Sequence, residues 1–386
     1  MFDATVIDRE SALPRHAQIE THFRELIAVG RLAPGERIPG EIELAQSFGV
    51  SRMTVNKALL ALTRAGLFQR ERGLGTFVAS PQTAPPRSLT VMVPLDYRTA
   101  TDDQDCYFGP LCRAIQASAE ELQHRVRLAH LPEGGYADDQ RRWPADGWLL
   151  ISPDRSHLAD LRALSEQGTA MVVIGSRWEE LHGVPMVDSD NVAGAAQAIR
   201  YLTDLGHRRI ALVYAGPDAS NTIDRIAGYR GALEEAGILP EGAWEIEADF
   251  AERLGNGAEA LRALLSQDSA LRPTAVFAAG YYLALETLNM ARDLSLSVPG
   301  SLSVVGYDDP YAARLTYPPL TTVRQPLAEM GRAGVALLEQ HLQGHWRDTG
   351  IPCLLPPNLQ IRGSAARPAL VKDELSYTLT AAPPLR

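Results

Sequence analysis

Two groups of residues in this 386-residue chain have types and spacings that could do chemistry. The first is Arg52, Thr54, Asn56 and Lys57, inside SRMTVNKALLALTR. The apolar residues Val55, Ala58, Leu59 and Leu62 of that segment recur at i, i+3, i+4 and i+7, which predicts a helix with one buried stripe. The four polar residues lie largely off the stripe, near the helix start. Arg, Asn, Lys and Thr placed there can bond base edges and phosphates in a major groove. The second group follows a series of predicted strands: Tyr107 and Phe108, Gly175 to Arg177, Asp218 to Arg225, Phe250, Gly280 and Tyr281, and Asp308 with Asp309. Aromatics, Arg and Asp on converging loops make a pocket with apolar walls and a few directional polar groups. Arg225 supplies a donor fork suited to a carboxylate or vicinal hydroxyls, and Asp308 supplies acceptors. Plainer readings stand beside these. Helix–turn–helix pairs also occur in structural bundles, Arg225 can be an ion-paired arginine, and Asp308 can cap a turn.

The elements that must position the first group are compact. Pro14 to Val29 has helical spacing at Ile19, Phe23, Leu26 and Ile27. Glu43 to Ser47 is a short helix, and Gly49 permits a sharp turn before Ser51, an N-cap residue. Gly66 fits the C-cap. LFQRERGLGTFVA reads as two short strands around Gly73-Leu74-Gly75, a β-wing. Residues 1–12 form a loose arm, and the Pro-rich residues 81–88 form an extended linker.

After the linker, strands and helices alternate: SLTVMVP, Phe108 to Glu121, VRLAH, GWLLIS, His157 to Gln167, AMVVIG, Asn191 to Leu205, RRIALVYA, Ile223 to Ala236, PTAVFAA, Tyr282 to Ala291 and LSVVGYDD. Repeated βα units give a parallel sheet with helices on both faces. Ligands of such sheets bind beyond the strand C-termini, where the second group lies.

Residues 13–78 resemble the winged-helix domain of the GntR family, with the first helix, PGERIPGE, SRMTV and GxGTFV all in order; MTVNKAL is most similar to its histidine-utilisation-repressor branch. The resemblance implies DNA contacts at Ser51, Arg52, Thr54, Arg72 and Gly73. Two positions depart from it: Ile42 and Asn56 stand where arginines are usual or frequent. Asn56 can read adenine bidentately. Residues 89–363 resemble the effector domain of the LacI/GalR repressors, through LGHRRIAL, RIAGYRGAL, VVGYDD and PPLTTVRQP. The resemblance implies effector contacts at Arg225, Asp308, Tyr107 or Phe108, and Phe250. Gly280-Tyr281 replaces a frequent Asn-Asp pair, and Gly175 replaces a frequent acidic residue; Tyr281 could stack on an apolar ligand face instead. The pairing of the two domain types resembles that of arabinose-responsive repressors.

Composition limits the alternatives. Hydrophobic residues make up 45% and charged residues 22%, as in ordinary globular proteins. No apolar run spans a membrane, MFDATVIDRE has no signal pattern, and the three cysteines show no CxxC spacing, so the expected compartment is the cytoplasm and no zinc site is expected. Net charge is −10; residues 1–80 carry ten Lys+Arg and nine Asp+Glu (+1), leaving −11 for the remainder. Residues 37–72 carry six basic against three acidic, a local surface for phosphate contact. An enzyme is the main rival. The only lysines are Lys57 and Lys372, which leaves no Schiff-base candidate in the core, and no GxSxG, P-loop or HExxH is present. Asp188 and Asp190, in VDSDN, resemble a loop motif of the repressor core rather than a catalytic pair, and His207 reads as structural.

The expected molecule is thus an α/β protein: a winged helix–turn–helix domain (1–80), a linker (81–88), a two-lobed periplasmic-binding-protein-like domain (89–363) and a tail (364–386). Its expected function is a repressor controlled by a sugar or another small metabolite, with no cofactor. It is expected to act as a homodimer on a pseudo-palindromic operator. The alternatives are an activator, or a small-molecule binding protein without a regulatory role.

Overall fold

A computed structural model describes residues 6–7, 13–28, 31–33, 35–64, 67–71, 75–78, 87–93, 107–130, 135–249, 254–255 and 257–369. Arg72, Gly73 and Phe250, together with Gly66 and most of the linker, lie outside the described residues. The chain divides into two compact units, Met1–Pro85 and Pro86–Arg386.

The first unit holds α1 (Arg15–Ala28), β1 (Arg37–Ile38), α2 (Glu41–Phe48), α3 (Arg52–Arg64), β2 (Phe68–Glu71) and β3 (Gly75–Val78). The strands form an antiparallel sheet in the order β1-β3-β2. Ile19, Phe23 and Leu26 of α1 meet Leu44 and Phe48 of α2 and the whole Val55/Ala58/Leu59/Leu62 stripe of α3 in one core. Phe23 packs edge-on to Phe48 and Phe68, with centroids 6.2 and 5.1 Å away. Helix α2 starts at Glu41, before the expected Glu43, and stops at Gly49. The left-handed φ of 65° at Gly49 turns its N–H back to the Ala45 and Gln46 carbonyls.

The second unit contains two six-stranded sheets. The N-terminal lobe uses β4 (Ser88–Val93), β5 (Arg125–His130), β6 (Gly147–Ile151), β7 (Met171–Ile174), β8 (Met186–Ser189) and β14 (Cys353–Leu355), in the order β14-β8-β7-β6-β4-β5, all parallel. The C-terminal lobe uses β9 (Ile210–Ala215), β10 (Glu245–Ala248), β11 (Ala275–Ala278), β12 (Ser303–Tyr307), β13 (Thr321–Arg324) and β15 (Asn358–Gln360). Its order is β10-β9-β11-β12-β13-β15, with only β15 antiparallel. Strands such as GWLLI of β6 and SVVGY of β12 are buried along their full length, as sheets covered on both faces require.

Helices α4 (Phe108–Glu121), α5 (Tyr136–Arg142), α6 (Leu158–Glu166) and α11 (Leu327–Leu342) belong to the first lobe. Helices α7 (Asn191–Asp204), α8 (Ser220–Glu235), α9 (Gly257–Leu265) and α10 (Tyr281–Asp293) belong to the second. The chain crosses between lobes three times: from β8 into α7, from β13 into α11, and from β14 to β15. The cleft between the lobes is therefore bordered by strand ends and by these crossings.

Two local readings change. The segment VDSDN is not a loop: Met186–Ser189 is strand β8, and Asp190 caps α7 by accepting the Ala193 N–H at 2.9 Å. Helix α8 begins at Ser220 rather than Ile223. Polar residues of its first turn are bonded to other elements, Thr222 Oγ1 donating to the Ala215 carbonyl and Ser220 Oγ accepting the Arg177 N–H. Ser88 opens β4, as the SLTVMVP strand reading has it, and Ser364 is buried with its hydroxyl donating to the Val304 carbonyl. His207 is structural: its ring bonds Thr274 Oγ1 at 2.9 Å and the Ala366 carbonyl at 2.8 Å.

Candidate functional site

In the first unit, Ser51 Oγ accepts the Thr54 N–H at 3.1 Å and so starts the recognition helix α3. Arg52 and Lys57 are exposed, and Thr54 and Asn56 are half-buried. Glu41 ties helix to wing: its carboxylate accepts from Arg52 Nε and from Arg70 Nη2, both at 3.0 Å. Arg70 Nη2 also reaches Asn56 Oδ1 at 3.4 Å. Arg52 is 68% exposed in this pair, so the pair is weak. The sequence reading missed Glu41, Arg70 and Met53. Met53 is 83% exposed and Ile42 62%, apolar side chains at the surface of this unit. The exposure of Met53 was legible, since it lies off the Val55/Leu59 stripe.

In the second unit, Arg225 on α8 is 5% exposed. Its Nε donates to Asn191 Oδ1 at 2.9 Å, its Nη1 to the Ala279 carbonyl at 2.8 Å, and its guanidinium lies 3.7 Å from the centroid of the Tyr307 ring. Its Nη2 has no hydrogen-bond partner among the described residues. Asp308 follows β12 in the left-handed region, φ 71°, held by Gln325 Nε2 on its Oδ1 and by Thr322 Oγ1 on its carbonyl. Such backbone is costly for a non-glycine residue, and these bonds offset the cost. Tyr281 and Asp308 line a cavity of about 920 Å³ that Arg113, Gln325 and Leu327 also border. Arg225 does not line that cavity. It is buried, and its charge and those of Asp188 and Asp308 all act on the Tyr107 hydroxyl. Burial raises the pKa of that phenol, so it stays neutral. Phe108 packs edge-on to Tyr107 at 5.2 Å.

Asp188 at the end of β8 is the functional candidate that sequence reasoning passed over. It is 1% exposed. Burial pushes its pKa up to about 7, against the Ser189 N–H bond and the Arg225 charge, which both favour the ionised form. The folded chain thus takes up a proton between about pH 4 and 7 that the unfolded chain does not. The corresponding stability is present below pH 4 and lost as pH rises through 7. Replacing Asp188 with Asn is expected to remove this loss, so the variant gains on the parent between pH 5 and 8. Urea unfolding at both pH values checks it; parallel pH profiles of parent and variant would exclude the titration.

Residues 15–78 match the model for bacterial regulatory proteins of the gntR family, and residues 199–365 that for the periplasmic binding protein-like domain. The chain is 31% identical over 323 residues to the transcriptional repressor CytR of Escherichia coli (strain K12), covering 82% of this chain and 88% of the relative. It is 29% identical over 366 residues to the arabinose metabolism transcriptional repressor of Geobacillus stearothermophilus, covering 92% and 99%. The chain belongs to the bacterial transcriptional repressors that join a gntR-type winged helix to a LacI-type effector domain. Solved structures agree. A LacI-family regulator from Chloroflexus aggregans matches with 27% identity and TM-score 0.61 over 72% of this chain and 98% of that one. A complex of the regulator CelR with cellobiose matches with 26% identity and TM-score 0.61 over 85% and 100%.

The repressor is thus a ligand-responsive DNA-binding regulator, and its relatives are regulators, not enzymes. No helix among its described residues is long and apolar enough to cross a membrane.

Proposed function

We propose that the repressor is a cytoplasmic homodimer without catalytic activity, whose hold on a pseudo-palindromic operator is set by a sugar or related polyhydroxylated metabolite bound between its lobes. The observation that carries the effector reading is the buried Arg225 guanidinium, fixed by Asn191, Ala279 and the Tyr307 ring, with Asp188 and Asp308 nearby as acceptors. Rigid donors beside acceptors suit a ligand with many hydroxyls. Tyr107, Phe108, Tyr281 and Phe250 would supply its apolar walls. The cellobiose bound in the related CelR structure supports the same ligand class. The effector changes operator affinity only through its different affinities for the open and closed lobes.

The test is a thermal-shift series with arabinose, ribose and cellobiose, because a ligand of the native state raises its melting temperature. A rise in the parent that Arg225→Ala lacks supports the reading; a rise of equal size in both removes Arg225 from the site.

On the DNA side, Ser51, Arg52, Thr54, Asn56 and Lys57 would face the operator, with Arg72 and Gly73 at the wing. Arg52→Ala is expected to weaken specific binding by about 1–3 kcal/mol, the range for one base-reading contact. Anisotropy titration on a selected operator measures it. Unchanged affinity in a folded variant excludes Arg52 as a reader.

A further inference from the structure

The loop after β7 belongs to the N-terminal lobe, and α8 belongs to the C-terminal lobe. Two contacts join them directly. Arg177 donates from Nε and Nη2 to Asp224 Oδ2, at 3.2 and 2.5 Å, and its backbone N–H donates to Ser220 Oγ at 3.0 Å. Neither residue is fully buried: the side chains are 30% and 14% exposed, and both border a groove of about 1160 Å³ that also takes in Trp178 and Ile223. Their sequence neighbours lie at the cleft. Asp224 immediately precedes Arg225, and Arg177 follows Gly175 by two positions, at the site of the Tyr107 hydroxyl.

We propose that Arg177 and Asp224 form an inter-lobe latch that favours the closed cleft. The physical argument is one of distance. Lobes joined by three crossings hinge about those crossings, and a rotation there separates the loop after β7 from the first turn of α8. An ion pair and a backbone hydrogen bond that exist only at the closed separation add their energy to the closed form alone. Partial exposure keeps the pair screened, so it biases the lobes without locking them. A ligand that needs closed lobes then binds with less of its affinity spent on closure. The latch is separate from the effector assignment: it requires two lobes and a hinge, not a particular ligand.

The test measures lobe separation in the full chain without effector or DNA. Spin labels at Glu166 on α6 and Glu234 on α8, both exposed, report the distance between lobes in a cysteine-free background diluted with unlabelled chain. The charge reversals Arg177→Asp and Asp224→Arg are each expected to broaden and lengthen the distance distribution, and the double swap to bring back the parent's. Should a reversal fail to fold, Arg177→Gln and Asp224→Asn carry the same comparison. A parent-like distribution in folded single variants overturns the proposal, as does a double swap no closer to the parent than either single.

Discussion

Arg225→Ala is expected to give a repressor that still binds its operator and no longer responds to effector. The residue lies in the second unit, so the winged helix keeps its core and its surface. In the cleft the change removes three things at once: two hydrogen bonds, the cation over Tyr307, and the positive charge that favours ionised Asp188. Leaving Asn191 Oδ1 and the Ala279 carbonyl unpaired costs about 1–3 kcal/mol each. The lost cation–π contact adds about 0.5–2 kcal/mol. Stability should therefore fall by about 2.5–8 kcal/mol, and Asp188 should titrate still higher, since the charge that held its pKa down is gone. Arg225→Lys separates the two effects. It restores a positive charge near Asp188 but not the planar fork that spans Asn191 and Ala279, so the pH profile should return toward the parent while ligand binding does not. Calorimetry with a sugar found in the thermal screen, and urea unfolding across pH, measure both. Effector binding as tight as the parent's in Arg225→Ala would end the site assignment without touching the fold.

The sequence was informative where structure is local. The α3 stripe, the Ser51 cap and the Gly49 turn each depend on residues within a few positions, and each forms as the spacing predicts. The alternating strands of the second unit were legible because full burial makes them short apolar runs. Contacts set by distant parts of the chain were not legible. Glu41 meets Arg70 across 29 positions, and Arg225 meets Ala279 across 54. VDSDN has the composition of a turn, but packing at the β8–α7 crossing buries Asp188 and turns a surface-type residue into a group that titrates near neutral pH. Arg225 is likewise buried by partners distant in sequence, Asn191 and Ala279, and does not line the cavity that Asp308 and Tyr281 share.

Gly175 carries the second large expectation. The resemblance to the LacI/GalR repressors implies an acidic side chain at that position; this chain has glycine there, and the Tyr107 phenol packs against it. A Cβ on Gly175 would lie 1.9 Å from the Tyr107 hydroxyl oxygen and 2.8 Å from Ser152 Oγ. The phenol and a side chain at 175 therefore exclude each other, and the polar group beside this position is a neutral hydroxyl. Gly175→Asp should be severely destabilising. The backbone there has φ 82°, which costs a non-glycine residue about 1–2 kcal/mol. Forcing Tyr107 off its packing against Phe108 adds about 1–3 kcal/mol of overpacking. The total, about 2–5 kcal/mol, should be visible as a large drop in melting temperature. Tyr107→Ala in the same chain removes the steric part and leaves the backbone part, so the double variant should be more stable than the sum of the single losses by about 1 kcal/mol or more. Simple additivity of the two losses would mean that Tyr107 does not occupy the space at 175. A non-additive cycle would show that the Tyr107 phenol occupies the space a side chain at 175 would need, so that a neutral hydroxyl and not a carboxylate stands beside Ser152.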